Sequence, residues 1–473
     1  MTKRFLLLPA SFFLALIFFS FTGAPDHYDY DTDLLTPQFH QGRPQALRDL
    51  LPDSSVAVFF ASPVRTRSND VEYDYHQDPN LFYLTGLCEP NAMLIVFKEK
   101  QQVDTMFTNE LLFVQDRDPK EEAWTGKRLG ADGAKQLLGI DKVLSSKDFS
   151  PSMIKWKKFH TVFFFPLTGE MNDHPDDPCD LSLLLAKFSN STKRNSNDDT
   201  ERLSEYMAML REVKQPEELE LMRKAILISG DGHTELMKAL EPDMTEYQAQ
   251  AILEFRFKME GAEFPAYPSI CGSGENSCIL HYTSNRRPFQ DGDLIVVDAG
   301  AEYHGYCADI TRTLPVNGKF SAEQKQIYDI VYDAQQAGIQ ACRIGNEFRA
   351  PHNAAVEVIK KRLLALGIIQ NEEDYIRYFF HGTSHYLGLD VHDAGLNGRL
   401  ALGNVITVEP GIYIPAGSPC DPKWWNIGVR IEDDVLITSG DPEVLSGNIP
   451  KTTTDIEAMM AQKSYLNESG GPR

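Results

Sequence analysis

The stretch LIVVDAGAEYHGYCADITRT, residues 294–313, decides the fold of this 473-residue chain. Its two apolar runs lie on either side of Gly305, which predicts two antiparallel strands joined by a tight turn. Asp298 ends the first run and Asp309 lies early in the second. Because side chains alternate between the faces of a strand, both carboxylates can point to one face of the hairpin. Two acids in a hairpin are, by themselves, more typical of a solvated face or a turn, so the segments that follow decide the interpretation.

Segments further along the chain supply the other residues that a metal centre needs. They are HGTSHYLGLDVHD with His381, His385 and His392, TVEPGIY with Glu409, and GVRIEDD with Arg430 and Glu432. Carboxylates bridge divalent ions and balance their charge, and a neutral imidazole completes the coordination shell. Two Asp, two Glu and at least one His are therefore what a pair of divalent ions requires.

The order and the wording of these segments resemble the Xaa-Pro aminopeptidases (aminopeptidase P), a family of pita-bread metallopeptidases. The shared motifs are, in chain order, LHYTSN (residues 280–285), VDAG, DITRT, HGTSH, LDVHD, VEPG and GVRIED. The resemblance implies an α+β fold in which a smaller N-terminal α/β domain precedes a C-terminal pita-bread catalytic domain of two duplicated α/β halves. In that fold the metals lie between the halves.

The resemblance also implies which residues hold the metals. Two divalent ions would be bound by Asp298, Asp309, His385, Glu409 and Glu432. Oxygen-rich ligation with a single imidazole suits Mn2+, and Co2+, Fe2+ and Zn2+ are the alternatives. Two such ions about 3.5–4 Å apart lower the pKa of a bridging water, so that a hydroxide can attack a polarised amide carbonyl.

Further residues are expected to act on the substrate. By resemblance, the catalytic groups are His281, His381, His392, Glu409 and Arg430. His281 and His392 would bind the substrate and stabilise the tetrahedral intermediate, and His381 would line the same pocket, although any one of them alone is more typical of a structural histidine. Glu409 would carry the proton to the leaving nitrogen. Arg430 would orient the metal-binding acids, with a surface salt bridge as the alternative. Asp390 and Asp393 flank His392 and are candidates for orienting it.

The chain divides into four parts. Residues 1–24 read as a secretory leader, 25–200 as the N-terminal aminopeptidase-P-type domain, 205–455 as the catalytic domain and 456–473 as a C-terminal tail. Lys3 and Arg4 precede a mostly apolar run in the leader, which predicts export to the periplasm or secretion. Pro25 makes the junction a poor cleavage site, so an uncleaved leader that anchors the protein in a membrane is the alternative.

Periodicity and capping patterns predict the regular structure. Short apolar runs predict buried strands at residues 56–61, 92–97, 111–115 and 161–166. The polar, Ser/Asn-rich residues 189–202 predict a linker or an exposed loop. Helices are expected to begin at Pro216 and after Thr245 and Ser321, and another is expected over residues 350–366. Two helices followed by metal-bearing strands occur twice, which predicts a duplicated half.

Composition excludes some partners. The formal net charge of −22 argues against nucleic acid and anionic membrane surfaces. The seven cysteines are scattered without paired CxxC spacing, which argues against a structural zinc site and against a disulfide framework. The sequence does not decide whether one disulfide forms among them.

The resemblance implies removal of the N-terminal residue from peptides that have proline second. An Xaa-Pro bond is a tertiary amide without an N–H, so a protease that hydrogen-bonds that group cannot use it. The alternatives are a prolidase restricted to dipeptides, a metal-free pita-bread hydrolase, and a peptide-binding module that has lost its metals. The segment KEEAWTGKRLG and Ser384 favour the aminopeptidase over the prolidase, and the complete ligand set disfavours the other two. The family also builds oligomers, which implies a homodimer or a homotetramer.

Overall fold

The computed structural model describes residue 28 and residues 30–103, 105–167, 171–172, 177–192 and 199–468. The expected leader, residues 1–24, lies outside them. Across the described ranges, the helices are all too short or too polar to span a bilayer.

The N-terminal domain is an α/β structure built around one mixed sheet. Its helices are α1 (Pro37–Leu50), α2 (Pro79–Thr85), α3 (Pro119–Thr125), α4 (Gly130–Leu138) and α5 (Leu181–Thr192). A further helix, α6 (Thr200–Arg211), leads into the C-terminal domain. Its strands are β1 (Ser55–Phe60), β2 (Thr66–Ser68), β3 (Val71–Glu72), β4 (Met93–Val103), β5 (Met106–Val114), β6 (Val143–Ser145) and β7 (Thr161–Phe164). The sheet has the order β6-β5-β4-β1-β7, and β2 pairs with β3. The four strands expected from apolar runs are present as β1, β4, β5 and β7.

The central position of β1 explains why its sequence, SVAVFF, is apolar throughout. One face of the strand, with Val58, packs into a cluster that contains Trp156. The other face, with Phe59, packs into a core that continues into the C-terminal domain. A strand that is covered on both faces has no solvent side and therefore shows no polar alternation.

The polar stretch at residues 189–202, expected to be a linker or an exposed loop, is partly helical. Helix α5 extends into its beginning and α6 begins before its end, while residues 193–198 lie outside the described part of the chain. The Asp199 carboxylate accepts a hydrogen bond from the backbone N–H of Arg202 at 3.0 Å and caps α6. This local cap compensates for the low apolar content that suggested a loop. The domain boundary expected at residues 200–205 consequently falls inside a helix.

The C-terminal domain repeats one order of elements. The first half contains α7 (Pro216–Ala239), α8 (Glu246–Met259), β8 (Phe264–Pro265), β9 (Ile270–Ser273), β10 (Leu294–Asp298), β11 (Ala301–Tyr303), β12 (Tyr306–Cys307) and β13 (Thr311–Pro315). The second contains α9 (Ala322–Ala341), α10 (Ala350–Ala365), β14 (Val405–Val408), β15 (Gly411–Ile414), β16 (Ile427–Arg430), β17 (Asp433–Leu436) and β18 (Glu443–Val444). Helices α11 (Thr453–Met460) and α12 (Tyr465–Glu468) follow. Two helices and then strands in each half confirm the predicted α+β fold with a duplicated domain.

The helix starts follow the predicted signals. Pro216 occupies the first turn of α7, where its missing N–H leaves no hydrogen bond unmade. Thr245 with Gln248 and Ser321 with Gln324 form capping boxes at the starts of α8 and α9. These signals are local, so they are readable without knowledge of the fold.

The predicted boundary between domain and tail at residue 455 also falls inside a helix, α11. Ile456 is fully buried. Further on, the Ser464 hydroxyl donates a hydrogen bond to Glu235 of α7 at 2.5 Å. The segment after residue 455 therefore packs against the first helix of the C-terminal domain.

The predicted hairpin forms around a two-residue turn at His304 and Gly305. Both residues have positive φ, 49° and 83°, as a type I′ turn requires. Strand β11 pairs with β12 next to the turn, and β10 pairs with β13 further out in the same register, with Asp298 opposite Thr311. Asp309 differs from the expectation, because it precedes β13 instead of lying within a strand. The pairing continues past this point, since the N–H of Ala299 donates to the carbonyl of Ile310 at 3.1 Å, and the carbonyl of residue 308 approaches Gly300 so closely that no β-carbon would fit.

Hydrogen bonds from β13 to the end of β16 and to the turn that follows it join the two halves. The Thr313 hydroxyl donates to the Arg430 carbonyl at 2.9 Å and accepts from the Arg430 N–H at 3.1 Å. The N–H of Glu432 donates to the Thr311 carbonyl at 3.1 Å. The strand that follows Asp309 is therefore aligned with the strand and turn that carry Arg430 and Glu432.

Candidate metal centre

The five predicted metal ligands converge at the junction of the two halves. Asp298 ends β10, Asp309 precedes β13, Glu409 lies between β14 and β15, and Glu432 lies between β16 and β17. His385 is fixed beside β14, where its carbonyl accepts from the N–H of residue 407 at 3.0 Å. Irregular positions at strand ends leave these side chains free to point into the junction.

Distances within the cluster suit metal ligation. The Nε2 atom of His385 lies 3.3 Å from Oδ2 of Asp309 and 3.7 Å from Oε1 of Glu409. Ligand atoms of Asp309, His385 and Glu432 all lie within 4.8 Å of one another. A cation between them would reach all three with small side-chain movements.

Tyr267 is part of this cluster and was not predicted. Its hydroxyl lies 2.5 Å from Oδ1 of Asp298 and 2.5 Å from Oδ1 of Asp309, so it can donate its single proton to only one of them at a time. Burial and the charges of the two acids raise the pKa of Tyr267 well above its usual range, which keeps the hydroxyl protonated. Tyr267 stands between Ala266 and Pro268 in an irregular segment, and no sequence pattern marks it.

Arg430 is buried, so the alternative of a surface salt bridge is wrong. Its Nη2 donates to Oδ2 of Asp298 at 2.5 Å and its Nε donates to the Thr311 hydroxyl at 3.2 Å. That hydroxyl in turn donates to Oε2 of Glu432 at 2.7 Å. Arg430 therefore contacts one predicted ligand directly and a second through Thr311.

A second unpredicted tyrosine, Tyr413, connects Arg430 to His381. Arg430 Nη1 donates to the Tyr413 hydroxyl at 2.9 Å, and this hydroxyl lies 3.0 Å from His381 Nε2. His381 Nδ1 donates to the carbonyl of Gly382 at 2.7 Å, so Nε2 is the acceptor in the neutral ring. Burial and the positive charge of Arg430 lower the pKa of His381 to about 3, which keeps the ring neutral. Tyr413 lies in the quoted motif TVEPGIY, and the pairing of β15 with β16 brings it to Arg430.

The predicted substrate-binding histidines lie on two sides of the acid cluster. His281 and His381 line a cavity of about 220 Å³ together with Asp298, Glu409 and Arg430. His392 lines a separate cavity of about 580 Å³ that also reaches Tyr267. The ring of His392 lies 4.3 Å from that of His385, in an edge-to-face arrangement. The predicted metal ligands therefore lie between two cavities.

The carboxylates of Asp390 and Asp393, the candidates for orienting His392, bind cationic side chains and not the imidazole ring. Arg211 donates to Asp390 at 2.8 Å and to Asp393 at 2.5 Å. The second oxygen of Asp393 accepts from Lys214 at 2.7 Å. Adjacent residues in an irregular loop point in different directions, which the sequence does not reveal.

The electrostatics of the cluster fit a pair of divalent cations. Burial raises the pKa of Asp298, that of Glu409 to about 7, and that of Glu432 well above its usual range, and neighbouring acids add to each rise. Burial would also raise the pKa of Asp309, but a hydrogen bond from His385 lowers it. Ionising all four carboxylates places four negative charges in one site, and two divalent cations would balance them. The donor set is therefore suited to two hard or borderline cations.

Known proteins of the same kind cover nearly the entire chain. The family described as metallopeptidase family M24 matches residues 220–439, and the aminopeptidase P N-terminal domain matches residues 40–163. Xaa-Pro aminopeptidase of Escherichia coli (strain K12) is 36% identical over 440 residues, which are 90% of this chain and 98% of the relative. Human Xaa-Pro aminopeptidase 3 is 34% identical over 87% of this chain and 82% of the relative.

Solved structures agree in fold as well as in sequence. Aminopeptidase PepP of Pseudomonas aeruginosa superimposes with a TM-score of 0.79 at 35% identity, over 90% of this chain and 98% of that one. Proline aminopeptidase P II of Yersinia pestis gives a TM-score of 0.78 at 37% identity, over 90% of this chain and 100% of that one. From these matches and the two family regions, the chain belongs to metallopeptidase family M24 and, within it, to the aminopeptidase P group.

Proposed function

We propose that this metallopeptidase is an Xaa-Pro aminopeptidase, which removes the N-terminal residue from peptides whose second residue is proline. The observation that carries the proposal is the convergence, beside a cavity of about 220 Å³, of Asp298, Asp309, His385, Glu409 and Glu432. Support comes from relatives that are named Xaa-Pro aminopeptidase and align over almost their full length.

We assign the predicted ligands to two divalent cations, with Mn2+ preferred because four carboxylates and one imidazole form an oxygen-rich set. Bound cations of this kind would lower the pKa of a water between them and polarise the substrate carbonyl. Asp298, Asp309, His385, Glu409 and Glu432 would hold the cations, and Tyr267 would orient the first two of these ligands.

Glu409 would move the proton. Burial raises its pKa to about 7, the charge of His385 opposes that rise, and Asp309 adds to it. A carboxylate that lies beside the bound cations and lines the cavity can accept a proton from the attacking water and release it to the leaving nitrogen. The nitrogen of an Xaa-Pro bond carries no hydrogen, so this delivered proton is what lets it leave as an amine.

The smaller cavity suits a proline ring next to the scissile bond. His281 and His381 face it, and the hydrogen-bonded series Arg430, Tyr413 and His381 fixes the second of these rings. Because Arg430 also donates to Asp298, the wall of this cavity and a metal ligand are positioned together. We propose that His281 and His381 bind the substrate here, and that His392 acts from the other cavity on the tetrahedral intermediate.

A peptide series with one N-terminal residue tests the proposal. Xaa-Pro, Xaa-Pro-Ala and a five-residue Xaa-Pro peptide are compared with Xaa-Ala-Ala, in Mn2+ and after treatment with a chelator. We expect release of Xaa from the longer proline peptides, little from the alanine peptide, and loss of activity with the chelator that Mn2+ restores. Asp309→Asn should abolish activity, while Asp329→Asn, in an exposed pair with Lys325, is the matched control.

Each of the other outcomes of this peptide assay would support a different function for the protein. Cleavage of the dipeptide alone would make the protein a prolidase. Equal cleavage of the alanine peptide would remove proline specificity, and a relative at 32% identity is named intermediate cleaving peptidase 55, without reference to proline. Fewer than one metal per chain in active buffer, with every peptide intact, would indicate a binding module.

We also propose export through residues 1–24 and assembly into a homodimer or homotetramer. The N-terminal charges and the apolar run support export. Trp124 in α3 is 88% exposed, which suits a contact with another subunit. Sequencing the mature N-terminus tests whether the leader is removed, and a chain that still begins at Met1 or Thr2 would favour the membrane-anchored alternative. Light scattering tests the assembly, and a monomeric mass would contradict it.

A further inference from the structure

The segment that joins the two domains lies against the loop that carries His392. Arg211 ends α6, and Lys214 follows it before α7 begins. We propose that Arg211 and Lys214 are positioning residues that hold His392 where it meets the substrate. The inference rests on the proposed function, in which His392 acts on the substrate.

The side chain of His392 makes few contacts that could fix its position. Within the described part of the chain its ring takes part in no hydrogen bond, and its ring contact is with His385. The residue is exposed. An imidazole without a hydrogen-bonding partner takes its position from its backbone, so whatever fixes residues 390–393 also fixes this ring.

Ion pairs fix that backbone on both sides of His392. Arg211 Nη2 donates to Oδ2 of Asp390 at 2.8 Å and to Oδ1 of Asp393 at 2.5 Å. Lys214 Nζ donates to Oδ2 of Asp393 at 2.7 Å. Both oxygens of Asp393 are therefore bound by cations, and one guanidinium connects the residues that come two before and one after His392.

Burial makes this arrangement specific. The side chains of Arg211, Lys214 and Asp393 are 3%, 1% and 1% exposed. A buried charge is stable only when it is paired with good geometry, so these groups permit few alternative loop positions. The ion pair also packs tightly against Gly388, because a β-carbon at this position would overlap the Asp393 carboxylate and lie 2.8 Å from Cε of Lys214. Such pairs add little net stability compared with apolar groups, and fixing one geometry is the role that suits them.

The same segment reaches further along the loop and into the N-terminal domain. Glu212 accepts from the N–H of Leu396 at 3.0 Å, four residues after His392. Arg211 Nη1 donates to Oδ1 of Asn80 in α2 at 2.8 Å. Arg211 therefore links the N-terminal domain to the His392 loop, and the docking of the two domains contributes to the position of a substrate-binding group.

A double-mutant cycle tests the inference in the Mn2+-loaded full-length protein. Arg211→Gln should lower kcat for Xaa-Pro-Ala by roughly 10–100-fold, as a misplaced catalytic group does, with two metals per chain retained. Arg211→Lys, which keeps the charge, should recover part of this loss. In a His392→Ala background, Arg211→Gln should have no further effect on kcat, since there is no ring left to position. The matched control is Arg223→Gln, which removes an exposed ion pair with Glu443.

The remaining outcomes also decide the matter. Equal losses from Arg211→Gln with and without His392 would show a general structural role and overturn the inference, as would an unchanged kcat. Where Arg211→Gln does not fold, Asp390→Asn replaces it, because the Asp390 side chain is 48% exposed and tolerates change. It should lower kcat only while His392 is present. Failure of the proposed function is distinguishable, because the unmodified protein would then leave proline-second peptides intact.

Discussion

Replacing Tyr267 by phenylalanine removes one hydroxyl that contacts two of the proposed metal ligands. This hydroxyl lies 2.5 Å from an oxygen of Asp298 and 2.5 Å from an oxygen of Asp309. Tyr267→Phe removes the donor and keeps the ring, so packing is preserved. Without this donor, the two carboxylates lose a hydrogen bond that holds them in position, so they keep the geometry that metal binding needs less firmly.

The magnitude follows from one hydrogen bond to a charged group. Such a bond contributes about 1.5–3 kcal/mol. Because about 1.4 kcal/mol corresponds to a tenfold change in an equilibrium constant, we expect Mn2+ affinity to fall roughly 10- to 150-fold. In other metal sites, removing a group that hydrogen-bonds a ligand lowers metal affinity or activity by about 10–100-fold, which agrees with this expected fall.

Competition with a chelator of known affinity measures the change at constant pH. At saturating Mn2+, kcat should recover most of its original value, since the hydroxyl acts through the ligands and not on the substrate. Tyr306→Phe is the control, because it also removes one tyrosine hydroxyl and keeps the ring, but the Tyr306 hydroxyl donates to Glu218 at 3.0 Å instead of to these two acids. An affinity for Mn2+ within twofold of the original, or tighter, would refute the assigned role.

Three further predictions address other groups. Glu409→Gln should lower kcat by more than about three orders of magnitude, because it removes a ligand and the proton carrier together, and near-normal turnover would contradict this. His392→Ala should leave metal content intact while kcat falls; loss of metal would instead make His392 a ligand. Burial alone would lower the pKa of His304, but its ion pairs with Glu263 and Asp33 raise it. Their stabilisation is then complete below about pH 6.5 and is lost as pH rises through the raised pKa. Thermal unfolding against His304→Gln should show a Tm difference that shrinks with rising pH, and a constant difference would argue against the ion pairs.

Features that depend on neighbouring residues could be predicted from the sequence. The turn at Gly305 and the caps at Thr245 and Ser321 are encoded within a few positions, and each is present. The same local reasoning missed the start of α6, because the Ser/Asn-rich composition outweighed the capping signal of Asp199. Composition averages over a window, whereas a cap depends on one side chain.

Features that depend on distant contacts could not be predicted from the sequence. The predicted ligand set came from its motifs, yet Tyr267 joins the cluster from an irregular segment about 30 positions before Asp298. Asp393 follows His392 directly and was expected to orient it, but the sequence does not show that its carboxylate is bound by Arg211 and Lys214. The direction of a side chain in a loop is set by the partner that satisfies its charge, and that partner is known only once the chain has folded.

The hydroxyl of Thr311 explains why ligands from both halves keep a common geometry. It accepts from Arg430 at 3.2 Å and donates to Glu432 at 2.7 Å, while Arg430 donates to Asp298 at 2.5 Å. A ligand from the first half is thereby connected to one from the second through protein groups alone. Since the hydroxyl supplies both a donor and an acceptor, an apolar residue of the same shape would leave Arg430 and Glu432 each short of a partner in a buried site. The halves thus place the acids by hydrogen bonds, and the proposed metal ligands are oriented by protein groups.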